Sequence, residues 1–274
     1  MHPVLFYIWK FPVHAYGLML ALAFLLGIWL SSYRAKKNNL DPDAITDVGF
    51  YIIISAIIGA RLYYVALHFD QFRNNLLAIV NPFQEGSIGI GGLVMTGGLI
   101  GAILAGLLYF KLKKYPFLPY ADAVAPSVGF GIFLTRIGCF LNGCCYGAAH
   151  DGFLSVSFPL ESPAGRYQQH VHAAGLHPSQ LYLAVGGLAI GLIVLFAVRR
   201  KLFDGFQFYL MVVLYTLLRF SVDFTRHYEA SEKLGPLSHN QVVCIGLFAV
   251  FGGLILKNVL FKDELQAATS PPVV

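Results

Sequence analysis

The sequence contains little charge. Only 12% of its 274 residues are Asp, Glu, Lys or Arg, whereas soluble domains average about 25%. Apolar residues make up 57% of the chain, and the mean hydropathy is +0.66. This composition excludes an ordinary soluble domain and indicates a membrane protein. Walker, dinucleotide-binding and zinc-finger spacings are also missing, so the net charge of +5 does not indicate a nucleic-acid partner.

Apolar runs near the length of a membrane span fill most of the chain. They predict seven transmembrane helices, at about 14–33, 46–67, 91–110, 120–141, 178–198, 206–224 and 239–260. The first run is not followed by a small-residue cleavage pattern, so we expect a retained span and not a signal peptide. Because no long linker separates these runs, the predicted fold is an all-α polytopic membrane protein with a single domain over 1–274.

Basic residues are distributed unevenly between the connections. One side of the membrane would hold Arg34, Lys36, Lys37, Lys111, Lys113, Lys114, Arg199, Arg200, Lys201, Lys257 and Lys262. The other side would hold only Lys10, Arg73, Arg166, Arg226 and Lys233. The positive-inside rule therefore predicts an N-terminus outside and a C-terminus in the cytoplasm.

Two connections on the predicted outer side are long. Residues 147–177 are polar and are expected to form a small extracytoplasmic head, in which "FLSVSF" alternates like a short strand. Residues 68–90 include "FDQFRNNLLAIVNPF", which resembles an interfacial helix. The spans also contain glycines four residues apart, at 97 and 101 and at 187 and 191, and this spacing favours close helix packing over ligand contact.

This topology brings polar side chains from all seven spans to the outer third of the membrane. They are Arg61, Arg136, Arg219, Asp223, His14, Tyr16, Thr96, His177, Ser179, Gln180, Tyr182, His239, Asn240 and Gln241. Each arginine alone could extend to the headgroups, and Arg219 with Asp223 could form a simple i,i+4 pair. Three arginines with one acidic partner still need a further anion, and a lipid phosphate suits the forked guanidinium.

Three cysteines follow one another closely at 139, 144 and 145. Their spacing is not that of a zinc ribbon, and adjacent cysteines are not expected to share one tetrahedral ion easily. We therefore expect small packing residues, with redox or disulfide chemistry as an alternative, and no metal site. His170 and His172 in "QHVH" could share one face of a strand, although loop histidines are usually only solvated.

The segment "TRIGCFLNGCCYG" resembles the signature of the bacterial prolipoprotein diacylglyceryl transferases. Further segments recur in that family's order: "HAYGLML", "GARLYYV", "GGLVMTGGLIGA", "HPSQLY", "LLRFSVDFTR" and "SHNQ". The resemblance extends over essentially the whole chain. It implies transfer of the diacylglyceryl group from phosphatidylglycerol to the lipobox cysteine thiol of a prolipoprotein, with release of glycerol phosphate.

The resemblance also implies where the protein acts and what it binds. The expected location is the bacterial cytoplasmic (inner) membrane, with the active site facing the extracytoplasmic side. The expected partners are phosphatidylglycerol, the prolipoprotein signal-peptide and lipobox region, and membrane lipids; no cofactor and no nucleic acid are implied. The alternative is a catalytically inactive paralogue that binds or transports phospholipid.

Roles can be assigned by resemblance to matching positions. Arg136 and Arg219 are expected to hold the headgroup phosphate, and Tyr16 and Asp223 match an important tyrosine and an acidic residue. Tyr215, Asn142 and Gly147 also match family positions. Thr96 stands where many members have a histidine often proposed as the base, so a base would come from His14, His177 or His239, or the electropositive site alone would activate the thiol.

Overall fold

The computed structural model describes residues 3–9, 11–73, 79, 83–84, 87–88, 92–197, 202–226, 228 and 232–269. Four of the basic residues used to predict the topology, Lys10, Arg199, Arg200 and Lys201, lie outside this part of the chain. So do the first residue of the third predicted span, the last of the fifth, and most of the predicted interfacial helix after Arg73.

Helices dominate the described residues. In chain order the elements are β1 (Val4–Ile8), β2 (Phe11–His14), α1 (Ala15–Lys37), α2 (Asp43–Leu67), α3 (Phe69–Phe72), β3 (Phe83–Gln84), β4 (Ser87–Ile88), α4 (Met95–Lys113), α5 (Phe117–Asn142), α6 (Pro163–His170), α7 (Ser179–Leu192), a π-helical turn (Ile193–Ala197), α8 (Phe206–Asp223), β5 (Lys233–Leu234), β6 (Leu237–Ser238) and α9 (His239–Thr269). The strands form three antiparallel hairpins, β1–β2, β3–β4 and β5–β6.

Seven helices in the described residues are long and apolar enough to cross a membrane. They are α1, α2, α4, α5, α7 with its π-helical turn, α8 and α9 up to Leu260. Each coincides with one predicted span, and α4 begins at Met95 and not at residue 91. The prediction of a seven-helix polytopic membrane protein is therefore confirmed, while the orientation of the termini stays a prediction.

The chain divides into two compact units. The first comprises residues 1–34 and 121–274, and the second comprises residues 35–120. In the second unit α2 packs along α4 through glycines: a Cβ on Gly97 would collide with the backbone of Gly59, and one on Gly101 with the carbonyl of Ser55. Close packing through these small residues, predicted from their spacing, is confirmed.

In the first unit α5 and α7 approach each other in the same way. A Cβ on Gly129 would meet the backbone nitrogen of Gly191 and the carbonyl of Gly187 (2.7 Å). Further along α5, the Asp122 carboxylate accepts hydrogen bonds from the backbone N–H groups of Gly205 (2.8 Å) and Phe208 (3.0 Å). These groups lie at the start of α8, so Asp122 fixes where α8 begins and therefore where its polar face lies.

The segment predicted as the head differs from the prediction in its secondary structure. It contains α6, which the sequence analysis missed although Ser162 caps it and Pro163 begins it. The expected "FLSVSF" strand is wrong, because only Val156 pairs, with Leu176, in an isolated bridge. Leu176 is fully buried, and a core of tertiary contacts around it replaces strand pairing.

The alternative strand for "QHVH" is also wrong. His170 is the last residue of α6, and His172 has a positive φ of 50°, so the two imidazoles do not share a strand face.

Candidate active site

The site begins where α1 and α5 approach each other in the first unit. A Cβ on Gly138 would lie 3.0 Å from Met19 Cβ and 3.2 Å from Tyr16 Cα, so glycine permits this approach. Arg136 lies half a turn earlier on α5 and is half-buried. Its guanidinium donates a hydrogen bond to the Cys145 sulfur and is also close to Cys139.

The chain turns sharply after α5. Gly143 has a φ of 68°, and the N–H of Cys144 returns to the Cys139 carbonyl at 3.1 Å. Gln180, which is fully buried, donates from Nε2 to the Cys144 carbonyl at 2.8 Å. The side chain of Asn142 hydrogen-bonds to the Cys144 thiol. Asn142 and Gln180 therefore hold the turn that follows the arginine.

Gly147 completes this turn and is buried. Its N–H donates to the His177 carbonyl at 2.9 Å. A Cβ at this position would lie 2.5 Å from Ser179 Oγ, 2.5 Å from the Thr225 carbonyl and 2.6 Å from His177 Cβ. The glycine thus allows the turn, α7 and the end of α8 to meet.

One face of α8 carries the other predicted polar residues. Tyr215, Arg219 and Asp223 follow one another at intervals of four residues, which places them along one side of the helix. Tyr215 is close enough to Arg136 to interact with it electrostatically. Arg219 Nη2 forms an ion pair of 3.0 Å with Asp223 Oδ1, as the i,i+4 spacing suggested. Arg219 Nη1 is buried and has no hydrogen-bond partner among the described residues.

Asp223 is the centre of a hydrogen-bond network. Its carboxylate accepts hydrogen bonds from the Tyr228 hydroxyl at 2.6 Å and from the Ser238 hydroxyl. Asn240 donates to the Tyr228 oxygen at 3.2 Å. Burial, together with the hydrogen bond to Asp223, raises the pKa of Tyr228, so its hydroxyl stays a donor at neutral pH. The Asp223 carboxylate thus interacts with residues of the protein itself.

Arg226 belongs to the same cluster, although from the sequence it was expected only in an outer connection. Its guanidinium lies 5.8 Å from the Tyr228 ring centroid, and its Nε is buried with no hydrogen-bond partner in the described chain. Its position at the end of "LLRFSVDFTR", seven residues after Arg219, was the signal that could have identified it. Tyr228, in contrast, carried no spacing signal.

Cys145 connects Arg226 with Arg136. Hydrogen bonds from the thiols of Cys139 and Cys144 lower the pKa of the Cys145 thiol most. The two guanidinium groups lower this pKa further, so both arginines lie within electrostatic range of the Cys145 sulfur.

The cluster therefore has a surplus of positive charge. Arg136, Arg219 and Arg226 supply three cations, whereas Asp223 is paired with one of them. Among the described residues no carboxylate forms an ion pair with Arg136 or Arg226. Two of these guanidinium groups have a buried nitrogen without a hydrogen-bond partner among the described residues, Arg219 Nη1 and Arg226 Nε. Such donors are suited to an oxyanion, above all one that can accept forked hydrogen bonds.

The three candidate histidines have different surroundings. His177 is half-buried, stacks on His150 with ring centroids 3.9 Å apart, and its Nδ1 lies 3.2 Å from the Tyr182 hydroxyl. Burial and the neighbouring His150 lower the pKa of His177, so its imidazole is neutral at pH 7. His14 is exposed at the end of β2, and His239 is exposed with Nδ1 2.7 Å from the Glu232 carbonyl.

The remaining predicted residues have structural partners or lie in the second unit. Gln241 is buried and accepts a hydrogen bond from the Ser238 N–H at 2.9 Å. In the second unit Arg61 is buried, donates from Nε to the Ile79 carbonyl at 2.8 Å, and lies 5.1 Å from the Phe72 ring centroid. Thr96 is exposed in the first turn of α4.

Within the first unit, several of the predicted residues take part in hydrogen bonds, an ion pair or electrostatic interactions around the turn after α5 and the end of α8. They are Tyr16, Arg136, Asn142, Gly147, His177, Gln180, Tyr215, Arg219, Asp223 and Gln241. The roles assigned to these residues stay predictions.

Sequence comparison with known proteins identifies a family for the chain. The family model described as prolipoprotein diacylglyceryl transferase matches residues 3–257. A protein from Campylobacter curvus (strain 525.92) named phosphatidylglycerol–prolipoprotein diacylglyceryl transferase is 36% identical, over 96% of each chain. A protein of the same name from Bacillus cytotoxicus is 34% identical, over 88% of this chain and 86% of its own length. Because the family model covers nearly the whole chain, the protein belongs to the prolipoprotein diacylglyceryl transferase family.

Proposed function

We propose that this multi-pass membrane protein transfers the diacylglyceryl group of phosphatidylglycerol to the lipobox cysteine thiol of a prolipoprotein. The relatives from Campylobacter curvus and Bacillus cytotoxicus carry names that specify phosphatidylglycerol and a prolipoprotein. The cation cluster of the first unit supports the same chemistry in this chain. The observation that carries the proposal is the buried Nη1 of Arg219, which lies beside a satisfied carboxylate and has no partner of its own among the described residues.

In the proposed reaction the thiolate sulfur attacks the glycerol carbon that bears the phosphate ester. The new carbon–sulfur bond is the thioether, and the carbon–oxygen bond to the phosphate breaks. The electron pair leaves with the phosphate oxygen, so the second product is glycerol phosphate. The thiol proton passes to a base or to solvent, and neither oxidation nor reduction takes place.

The arginines would act mainly on the leaving group. Negative charge grows on the bridging phosphate oxygen as the carbon–oxygen bond lengthens, and fixed N–H donors that face this charge lower the barrier. Arg136 and Arg219 would hold the phosphate, and Arg226 would add a third cation. The internal partners of Asp223 keep Arg219 in place, because the ion pair, Tyr228 and Ser238 restrain the carboxylate.

The thiol would be deprotonated close to the same cluster. A cysteine thiol has an ordinary pKa of about 8.5, so only a small fraction is thiolate at pH 7. Of the three candidate bases, we assign the role to His177. Its imidazole is neutral, and its backbone carbonyl is bonded to Gly147 in the turn after α5.

We place this reaction on the extracytoplasmic side of the bacterial inner membrane. The uneven distribution of basic residues supports this side, because the site lies at the ends of α5 and α8 that are opposite to the basic connections. Phospholipid headgroups are available at either membrane surface, whereas secreted prolipoproteins present their lipobox on the outer side.

The direct test uses the purified full-length chain in lipid nanodiscs that contain phosphatidylglycerol. A lipobox peptide with a single cysteine is added, and mass spectrometry follows the thioether product while glycerol phosphate is quantified. We expect equal amounts of the two products. A peptide with serine in place of cysteine is the matched control and should give neither.

The outcome that would overturn the proposal is a folded, lipid-containing preparation that binds phosphatidylglycerol and gives no thioether. That result would support the inactive lipid-binding alternative. An equal yield of thioether in nanodiscs that contain phosphatidylethanolamine in place of phosphatidylglycerol would instead contradict the assignment of phosphatidylglycerol as the donor lipid.

A further inference from the structure

Three thiols meet beside Arg136. Cys139 lies in the last turn of α5 and is buried, and Cys144 and Cys145 follow the helix and are half-buried. All three cysteines are free, and their sulfur atoms lie within 4.8 Å of one another. Neither helix packing nor the proposed phosphate site requires three thiols to converge in this way.

The turn explains how adjacent cysteines can point to the same place. In an extended chain, side chains at neighbouring positions project to opposite sides. Here Gly143 and Cys145 have positive φ values of 68° and 60°, and Cys144 bonds back to the Cys139 carbonyl through both N–H and Sγ. The objection drawn from the sequence, that adjacent cysteines do not easily reach one ion, therefore does not apply to this backbone.

The distances and charges suit a soft cation. Zinc–thiolate bonds are about 2.3 Å long, so three sulfurs in a tetrahedral site are about 3.8 Å apart. Cys139, Cys144 and Cys145 form a cysteine triad. Their sulfur-to-sulfur distances would have to shorten by at most about 1 Å, which a small χ1 rotation can supply. Three thiolates around a divalent ion carry a net charge of about −1, and the Arg136 guanidinium, already bonded to Cys145, would neutralise it.

We propose that Cys139, Cys144 and Cys145 form a three-thiolate binding site for a soft divalent cation of the zinc class. The three cysteines supply three ligands, so a water molecule or another thiol would take the fourth coordination position. With zinc bound, the negatively charged zinc–thiolate complex would lie beside Arg136, where the proposed function requires a phosphate. Zinc binding by the three cysteines does not require the transfer activity.

The experiment uses the reduced, metal-free, full-length protein in detergent and titrates it with zinc chloride alone. Calorimetry should give one zinc per chain, with protons released as the thiols lose them. Cobalt(II) added in place of zinc should give a sulfur-to-cobalt charge-transfer band, which reports directly on thiolate ligands.

Single serine variants locate the site. Cys144→Ser and Cys145→Ser, each at a half-buried position, should weaken zinc binding at least tenfold and diminish the charge-transfer band. The matched control is Cys244→Ser, since Cys244 is also a free, buried cysteine but lies on α9 outside the triad. It should bind zinc like the unmodified chain.

Folding is checked separately by the thermal transition of each variant without metal. Variants that keep this transition and lose zinc binding support the proposal. It is overturned if the unmodified chain binds no zinc, if the triad variants bind zinc unchanged, or if Cys244→Ser removes binding. If zinc were bound by the histidines around His177 instead, both triad variants would bind zinc unchanged, and the proposal would be overturned.

Discussion

Arg219 forms an ion pair of 3.0 Å with Asp223 one turn further along α8, and this pairing leaves the other terminal nitrogen of Arg219 buried without a partner among the described residues. The carboxylate thus orients the guanidinium but leaves Nη1 without a hydrogen-bond partner among the described residues. An i,i+4 pair at the surface of a helix contributes only a few tenths of a kcal/mol. Here the pair is buried and is restrained further by Tyr228 and Ser238, so its role is to position a donor.

Arg136→Lys is expected to lower the transfer rate strongly. Lysine keeps the charge but cannot supply the forked pair of donors, and one hydrogen bond to a charged group is worth about 1.5–3 kcal/mol, or roughly 10- to 100-fold. The measurement is thioether formation in nanodiscs. Arg166→Lys, at an exposed position of α6, is the control and should keep full activity. Full turnover in Arg136→Lys would mean that the phosphate is held elsewhere.

Tyr228→Phe is expected to lower catalytic efficiency about tenfold while the chain stays folded. It removes the 2.6 Å hydrogen bond to Asp223 and leaves the ion pair and Ser238 to orient the carboxylate alone. A lost hydrogen bond to a charged group corresponds to about 1.5–3 kcal/mol. Steady-state kinetics with varied phosphatidylglycerol measures the effect. Tyr33→Phe, an exposed tyrosine of α1, should behave like the unmodified chain, and equal kinetics for both variants would contradict the positioning role.

Gly147→Ala is expected to destabilise the protein and reduce activity together. The added Cβ would lie 2.5–2.6 Å from Ser179 Oγ, the Thr225 carbonyl oxygen and His177 Cβ, and forced overpacking costs about 1–3 kcal/mol. Thermal unfolding in detergent measures the loss. Gly131→Ala on α5 is the matched control, since a Cβ there has no neighbouring atom within 4 Å. If both variants unfold at the same temperature, the close approach at Gly147 is not as tight as the structure indicates.

The His177→Gln variant is expected to show a deficit that depends on pH. If His177 accepts the thiol proton, its loss matters most near pH 7, and the deficit should shrink as the pH rises through about 8.5, where the substrate thiol ionises unaided. Full pH profiles of the His14→Gln, His177→Gln and His239→Gln variants measure this. A constant deficit in His177→Gln at every pH would assign the residue a structural role.

The lowered pKa of His177 has a consequence for stability too. Since the folded protein binds this proton less readily than the unfolded chain, His177 favours the folded state fully above the ordinary pKa of about 6.5. That contribution is lost as the pH falls from 6.5 through the lowered value. Thermal transitions of the unmodified chain and of His177→Gln, compared between pH 5 and pH 7, should show a smaller acid effect in the variant.

Much of the fold was accessible from the sequence because membrane spans are defined by local composition. A run of about 20 apolar residues must be helical in hydrocarbon, whatever it packs against. All seven spans were predicted for this reason, and helical periodicity alone had left a pair between Arg219 and Asp223 open as an alternative. The helix α6 was missed because its sequence, "PAGRYQQH", is polar on average and only eight residues long, so its two buried small residues, Ala164 and Gly165, give too short a pattern to recognise.

The site was only partly accessible, since its remaining members depend on how distant segments meet. Sequence alone determined the seven apolar helices, the surplus of arginine over acidic residues, and the family motifs. Tertiary structure decided that the Asp223 carboxylate accepts hydrogen bonds from Tyr228 and Ser238. It also decided that Arg226 and Arg136 both interact electrostatically with Cys145, and that a turn with two positive φ angles brings three thiols together. Composition and periodicity describe residues within one helix. Hydrogen bonds and electrostatic interactions between distant segments depend on the path of the backbone, which cannot be predicted from a local sequence pattern.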